Sequence, residues 1–236
     1  MLQKINLRAA VFDLDGTLCR QDSFKKYLRI KLFRHPRHWI KLIPVLWWML
    51  LTYIFKIKNN NWLKKKAIGL ICEGITQEEA SDDANLLIRN LNWNQQLLAI
   101  LDQCRQNGVT TVLATASPQI YVDAINDHFG MDHVISTRME LDASGIWTGR
   151  VLGENCYGKE KKNQLSAWCQ QNALDWQNLV LFSDSVADLP SFQRVGLAVA
   201  VQPTWRLKQS RARHGIIPLN DAVARFKELD NSLLQK

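Results

Sequence analysis

Short apolar runs alternate with helical patterns in the second half of the chain, and this alternation most strongly limits the folds available to it. The apolar runs include Val109 to Thr115, Leu179 to Phe182 and Leu197 to Val201. A helical pattern from Lys159 to Gln171 lies among them, and Leu7 to Phe12 forms an earlier apolar run. Strand, helix and strand in this order predict an α/β fold, a parallel sheet with helices on both faces.

A long helical stretch separates the first predicted strand from the others. It runs from about Ser23 to Leu91 and includes a capping-box pattern at Thr76 to Glu79, which predicts the start of a helix that continues to Leu91. We therefore predict an α/β core formed by residues 1–22 and 92–236. Residues 23–91 are predicted to form an inserted helical cap that is basic and rich in Trp.

The predicted cap carries an unusual charge. Between Arg20 and Lys66 there are thirteen Lys or Arg residues and one acid, a net charge of +12. Ser23 to Phe33 is predicted as a basic amphipathic helix, with Lys31 among its polar residues. The uncharged run Leu42 to Phe55 is shorter than the about 20 residues that span a bilayer. Two interpretations of this run stay open: an internal cap helix, or a helix lying in the membrane interface.

The cysteines and the first residues of the chain indicate the cellular compartment in which the protein is expected. The five cysteines are far apart and form no Cys-x-x-Cys pair, which argues against a disulfide framework and a zinc knuckle. The first residues lack the long apolar stretch and the small-residue cleavage site of a secretory signal. We therefore expect a cytoplasmic protein, with the inner face of the membrane as the alternative location.

Two carboxylates follow directly on the first predicted strand. Asp13 and Asp15 are two residues apart, so on an extended chain their side chains point the same way. Phosphoryl transfer can use one carboxylate as nucleophile and a second as acid and then base. A calcium loop fits poorly, because it would need Gly where Leu18 stands and Glu where Phe24 stands.

Two further candidates could hold phosphate at the edge of the sheet where α/β proteins bind ligands. Thr115 ends a predicted strand, and the N–H of Ala116 lies near the start of the next helix, so both could bind phosphate oxygens. Lys159 could neutralise phosphate charge. We expect its neighbours Lys161 and Lys162 to remain exposed.

A final acidic pair could bind a metal ion. Asp184 ends a predicted strand and Asp188 follows four residues later, about one helical turn on. Mg²⁺ binds through one or two carboxylates together with phosphate and water. We expect Asp184 to be the direct ligand, with Asp188 in support. Each motif alone also fits a purely structural role, such as a helix cap. The four motifs in this order favour one catalytic site.

The four motifs together resemble those of the haloacid dehalogenase-like hydrolases, whose members share a Rossmann-like core. The resemblance implies that Asp13 is the nucleophile, that Asp15 is the general acid and base, and that Thr17 supports the loop and the substrate. It also implies an Mg²⁺ ion and residues that hold it and the phosphate. The implied phosphate ligands are Thr115, Ala116 and Lys159, and the implied metal ligands are Asp13, Asp15 through its carbonyl, and Asp184, supported by Asp188.

The inserted helical cap resembles subclass IB, which contains the phosphoserine phosphatases. Those enzymes carry a glutamate nine residues after the nucleophile, where this chain has Asp22, a candidate substrate contact. Their arginine for the substrate carboxylate has no clear counterpart here. The opening from Asp13 to Phe24, with the basic and Trp-rich segment after it, resembles the bacterial phosphatidylglycerophosphate phosphatases of the C type.

The leading hypothesis is an Mg²⁺-dependent phosphomonoesterase that acts through an aspartyl-phosphate on a phospholipid phosphate at an anionic membrane surface. The first alternative is a phosphatase of a soluble small-molecule ester, such as phosphoserine or a nucleotide. The second is a non-catalytic module that binds membranes or phosphorylated ligands. Nucleic acid is a weaker fit, because long apolar stretches separate the charges of the basic segment.

Overall fold

The computed structural model describes residues 6–34, 43–44, 47, 65, 68–224 and 226. Most of the basic segment therefore lies outside the described residues. Of the run Leu42 to Phe55, only Ile43, Pro44 and Trp47 are described, so both interpretations of this run stay predictions. Within the described ranges, none of the helices combines the length and apolar character needed to cross a membrane.

Six parallel strands form the central sheet, in the order β4-β3-β1-β7-β8-β9. The first strand lies at the centre and pairs with β3 on one side and β7 on the other. This arrangement confirms the predicted α/β fold with a parallel sheet. The strands are β1 (Ala9–Phe12), β3 (Thr110–Pro118), β4 (His133–Thr137), β7 (Leu179–Ser183), β8 (Leu197–Ala200) and β9 (Ile217–Pro218).

Helices cover both faces of this sheet. Alternate residues of β1 enter two different apolar clusters: Phe12 packs in the cluster that contains Leu87 and Tyr121, and Val11 in the cluster that contains Leu165. This alternation is the period-two geometry of a strand buried on both faces. The helices whose bounds are given within the described residues are α1 (Ser23–Arg34), α2 (Gln77–Asn90), α3 (Gln95–Gln106), α4 (Gln119–Phe129), α5 (Lys159–Gln171), α6 (Leu189–Phe192) and α7 (Trp205–Ser210).

A small antiparallel sheet, in the order β2-β6-β5, lies beside the main one. Its strands are β2 (Ile75–Thr76), β5 (Met139–Leu141) and β6 (Ile146–Val151). The segment from His133 to Leu141 is divided between the two sheets, because the chain leaves the main sheet after Thr137 and pairs with a new partner from Met139. Apolar periodicity cannot reveal such a change of partner. This sheet joins residues on both sides of the predicted cap boundary, and the boundary itself stays a prediction.

The predicted capping box forms as expected at the start of α2. The Thr76 hydroxyl accepts a hydrogen bond from the Glu79 N–H, and the Glu79 carboxylate accepts one from the Thr76 N–H, both at 3.1 Å. The helix ends at Asn90, one residue before the predicted end.

A buried ion pair joins α1 to α2. The side chains of Lys31 and Asp83 are both fully buried and bind each other, and the Arg34 guanidinium also donates to Asp83 at 2.6 Å. The amphipathic pattern of α1 does not predict this burial of Lys31. The reason is that α2 packs over this side of α1, and the pattern of one helix cannot show which of its polar residues a second helix will cover.

Replacing Lys31 should therefore destabilise the fold. We expect Lys31→Met to lower the free energy of unfolding by roughly 3–5 kcal/mol, because removal of one partner leaves a buried charge poorly compensated. Urea denaturation measures the loss. Lys25→Met on the same helix is the matched control, since Lys25 pairs with Asp22 in solvent and should change stability by no more than about 0.5 kcal/mol. Equal losses in the two variants would contradict the assignment.

Candidate active site

A cavity of about 240 Å³ lies at the carboxyl ends of β1, β3 and β7, the edge at which α/β sheets bind ligands. Parallel pairing of these strands brings their ends together, so residues far apart in the sequence meet there. The lining contains four carboxylates and one ammonium group. The lining residues are Asp13, Asp15, Thr115, Ala116, Tyr157, Lys161, Asp184, Ser185, Ala187 and Asp188.

The turn after β1 brings the backbone against Asp184. Gly16 has a φ of 73°, in the left-handed region, and a Cβ at this position would lie 2.6 Å from the carboxyl carbon of Asp184. Glycine is therefore required by both backbone conformation and space. The Thr17 hydroxyl accepts a hydrogen bond from the Asp184 N–H at 3.1 Å, which ties the two loops together. Thr17 is fully buried and does not line the cavity, so its place supports a loop role and not the substrate contact also predicted for it.

Lys161 is the cation at the centre of the site. Its ammonium group donates to Asp13 Oδ1 at 2.9 Å and to Asp188 Oδ2 at 3.0 Å. Asp188 Oδ2 also accepts a hydrogen bond from the Ser183 hydroxyl at 2.6 Å. All these side chains are almost completely buried. The role of Asp188 in this structure is therefore to hold Lys161 in place.

The position of the lysine corrects the prediction. Lys159 was expected at the site and Lys161 in solvent, but the structure reverses them: Lys159 is exposed and does not line the cavity, whereas Lys161 is 3% exposed. Lys159 is the first residue of α5, which begins after Gly158. Because successive helix positions differ by about 100°, the direction in which the helix leaves Gly158 decides which lysine faces the carboxylates.

Burial and crowding perturb the acid–base properties of the site. Burial raises the pKa of Asp13 to about 7; the Lys161 ammonium opposes this shift and the charge of Asp188 adds to it. Burial and then repulsion from Asp188 raise the pKa of Asp184 to about 6. Burial alone would lower the pKa of Lys161, but the attraction of Asp13 and Asp188 outweighs it and raises this pKa, so the amine stays charged.

Asp15 is held differently from Asp13. Its Oδ1 accepts a hydrogen bond from the Ser23 N–H at 2.6 Å, and its Oδ2 accepts one from the Ser117 hydroxyl at 2.7 Å. Neither serine is among the site residues predicted from the sequence. The only sequence signal for Ser117 is its place two residues after Thr115 at the end of a predicted strand.

Two other predicted contacts have different outcomes in the structure. Thr115 and Ala116 line the cavity, as expected for phosphate-binding candidates. Asp22 does not line it: its Oδ1 accepts the Lys25 N–H at 2.9 Å at the start of α1. A carboxylate just before a helix satisfies a free N–H group there, so the place of Asp22 is that of a helix cap.

The donor set fits a magnesium ion. No three His, Cys, Asp or Glu side chains in the described part of the chain are grouped closely enough to form a metal site on their own. Mg²⁺ needs only one or two carboxylates, completed by water and phosphate. Asp13 and Asp184 line the cavity with raised pKa values, and a nearby divalent cation would favour their ionised forms. Asp188, also predicted as a metal residue, is instead bound to Lys161 and Ser183.

The chain is similar to known proteins along most of its length. It is 30% identical to Protein CicA of Caulobacter vibrioides over 64% of this chain and 67% of that protein. It is 26% identical to the phosphoserine phosphatase SerB1 of Mycobacterium tuberculosis over 88% of this chain and 68% of that protein. Its fold superposes on a phosphoserine phosphatase structure containing a phospho-aspartyl intermediate analogue, with a TM-score of 0.62 and 17% identity, covering 90% and 93% of the two chains.

The sequence profile of one family spans most of the chain, residues 10–193, and includes every residue that lines the cavity. This match agrees with the parallel sheet and with the acidic residues at its carboxyl edge. The chain belongs to the haloacid dehalogenase-like hydrolases.

Proposed function

We propose that this protein is an Mg²⁺-dependent phosphomonoesterase that transfers the phosphoryl group of a small soluble ester to Asp13. The observation that carries the proposal is the buried Lys161 ammonium bound to both Asp13 and Asp188 at the carboxyl edge of the sheet. This contact fixes one carboxylate oxygen of Asp13 beside a permanent positive charge, next to Thr115 and Ala116.

The first step is attack by Asp13 on phosphorus. Lys161 binds Oδ1, and no side chain in the described ranges donates a hydrogen bond to Oδ2, which leaves that oxygen available for attack. As the new P–O bond forms, the bond to the ester oxygen breaks, and Asp15 gives its proton to the leaving alkoxide. Asp15 lines the same cavity and is therefore within the site.

The second step is hydrolysis of the aspartyl-phosphate. Asp15, now ionised, takes a proton from a water molecule as that water attacks phosphorus. The bond between phosphorus and Asp13 breaks, phosphate leaves, and both carboxyl groups return to their starting states. Lys161 stabilises negative charge throughout, because its attraction to two buried carboxylates keeps it protonated. Mg²⁺ held by Asp13 and Asp184, when bound, would supply further positive charge to the phosphoryl oxygens.

A small soluble ester is supported by the relatives and by the size of the cavity. SerB1 is named a phosphoserine phosphatase, and other relatives are named phosphoserine phosphatase and histidinol-phosphatase. The cavity of about 240 Å³ is smaller than the roughly 300–1,000 Å³ typical of sites for drug-sized ligands. It suits a phosphoryl group with a small substituent.

A phospholipid substrate, such as phosphatidylglycerophosphate, is the second candidate. It rests on the +12 charge between Arg20 and Lys66 and on the apolar run Leu42 to Phe55, which could dock on anionic lipid. Most of these residues lie outside the described ranges.

Asp13→Asn should abolish turnover. We expect kcat for phosphate release to fall on the order of a thousandfold or more, because the amide cannot act as the nucleophile. Rapid acid quenching after mixing with ³²P-labelled substrate and Mg²⁺ should trap a hydroxylamine-sensitive phosphoprotein in the parent and not in the variant. Asp142→Asn, in the turn between β5 and β6, is the matched control. Turnover that persists in Asp13→Asn, or that a chelator leaves unchanged, would refute the mechanism.

Substitutions of Lys161 and Lys159 test which of the two lysines binds the phosphate. Lys161→Met should lower kcat/KM for phosphate-ester hydrolysis by about 100-fold or more, because it removes the buried charge beside the reacting group. Lys159→Met, in the same helix, should stay within about twofold, as expected for an exposed side chain away from the cavity. Circular dichroism of both variants checks folding. Greater sensitivity to Lys159→Met would overturn the assignment of the phosphate cation.

A substrate panel separates the two candidate substrates. We expect the highest kcat/KM for a small ester, with phosphoserine, histidinol phosphate and nucleoside monophosphates as the compounds to compare. Phosphatidylglycerophosphate in mixed micelles and in anionic vesicles forms the lipid arm. Preference for the lipid, together with flotation of the protein on anionic vesicles at low salt, would replace the soluble-ester proposal with the phospholipid one.

A further inference from the structure

Three buried hydroxyl groups form a chain that ends on Asp15. Ser117 Oγ lies 2.7 Å from Asp15 Oδ2 and donates to it. Ser23 Oγ lies 3.3 Å from Ser117 Oγ, and Tyr121 Oη lies 3.1 Å from Ser23 Oγ. The three hydroxyls come from α1, β3 and α4, so three separate elements meet behind one carboxylate of the site.

The chain has a defined direction. Burial raises the pKa of Tyr121 well above its usual value, so its phenol keeps its proton. Because Ser117 gives its one hydrogen bond to Asp15 Oδ2, Ser23 must donate to Ser117, and Tyr121 to Ser23. Asp15 Oδ2 accepts in the ionised carboxylate, and it also accepts as the carbonyl oxygen when Oδ1 carries the proton. Each hydroxyl donates one hydrogen bond toward Asp15. Such a chain polarises its members and strengthens the final bond.

The hydroxyl chain reaches the chemistry only through Asp15. Ser23, Ser117 and Tyr121 are each 2% exposed or less, and none of them lines the cavity. The ring of Tyr121 packs against that of Tyr27 with centroids 4.7 Å apart, which holds the far end of the chain in place. A direct contact between these hydroxyls and a substrate phosphate is therefore not indicated by the geometry.

We propose that Ser117 is a positioning residue that, backed by Ser23 and Tyr121, holds the Asp15 carboxyl group in the orientation needed to protonate the leaving group. The inference rests on the proposed phosphomonoesterase function and deepens it. The Ser23 N–H fixes Oδ1 and the Ser117 hydroxyl fixes Oδ2, so together they stop rotation of the carboxyl plane. With the Ser117 hydroxyl removed, the remaining hydrogen bonds, from the Ser23 N–H and the Cys19 thiol, both end on Oδ1, so the carboxyl plane can turn about that oxygen.

The consequence depends on how much the leaving group needs a proton. An alkyl ester leaves as a strongly basic alkoxide, so transfer of the Asp15 proton must accompany cleavage of the P–O bond. A p-nitrophenyl ester leaves as a stable phenolate and needs little protonation. General acid catalysis contributes typically 10²–10⁴-fold where it is needed. Misorientation of Asp15 should therefore slow alkyl esters selectively.

The experiment compares kcat/KM of Ser117→Ala for a small alkyl phosphate and for p-nitrophenyl phosphate. This parameter reports the steps up to release of the alcohol or phenol and excludes the later hydrolysis of the phosphoenzyme, which both substrates share. We expect a loss of about 10- to 100-fold for the alkyl ester and less than about threefold for the nitrophenyl ester. Tyr121→Phe should shift the ratio in the same direction by a smaller factor, because it removes only the far hydroxyl.

Ser191→Ala is the matched control. Ser191 is fully buried, and its hydroxyl has no hydrogen-bond partner among the described residues, so the same change there should leave the ratio unaltered. An equal loss of kcat/KM for both esters in Ser117→Ala, or no change for either, would overturn the inference. The proposed function would still stand, provided that the parent protein hydrolyses the esters. Failure of the parent protein to hydrolyse either ester would overturn both.

Discussion

One buried ammonium group, that of Lys161, organises the site. It binds Asp13 and Asp188, and all three side chains are almost fully buried. Two buried carboxylates without a counter-charge would be costly at the centre of the sheet, and a shared cation offsets much of that cost. Because Lys161 belongs to α5, Asp13 to the end of β1 and Asp188 to the segment after β7, this contact also fixes the relative positions of these three elements.

The remaining carboxylates are held by backbone proximity and by hydroxyl groups. Gly16 lets the loop after β1 approach Asp184 so closely that a side chain could not fit between them. Asp15 accepts hydrogen bonds from the Ser23 N–H and the Ser117 hydroxyl, which lie on different elements, and a longer one from the Cys19 thiol at 3.9 Å. Asp13 beside a cation and Asp15 beside neutral donors have different surroundings, which suits a nucleophile and a proton donor only two residues apart.

Much of the fold followed from local patterns. The alternation of apolar runs and helices predicted the parallel sheet, and Thr76 and Glu79 predicted the start of α2, since strand burial and helix capping depend on a few neighbouring residues. Contacts between elements were harder to foresee. Lys31 stands among the polar residues of the predicted amphipathic helix and is buried against Asp83, because only the packing of two helices decides which polar residues are covered.

By itself, the sequence determined that acidic residues end the strands at one edge of a parallel sheet, because strand endings are local and parallel strands end together. It therefore indicated Asp13, Asp15, Thr115 and Asp184 as candidates for one site. Only the tertiary structure decided that Lys161 and not Lys159 faces Asp13, and that Ser117 binds Asp15. Both outcomes depend on how α5 and β3 are placed against β1, and the sequence of a single strand or helix does not determine that placement.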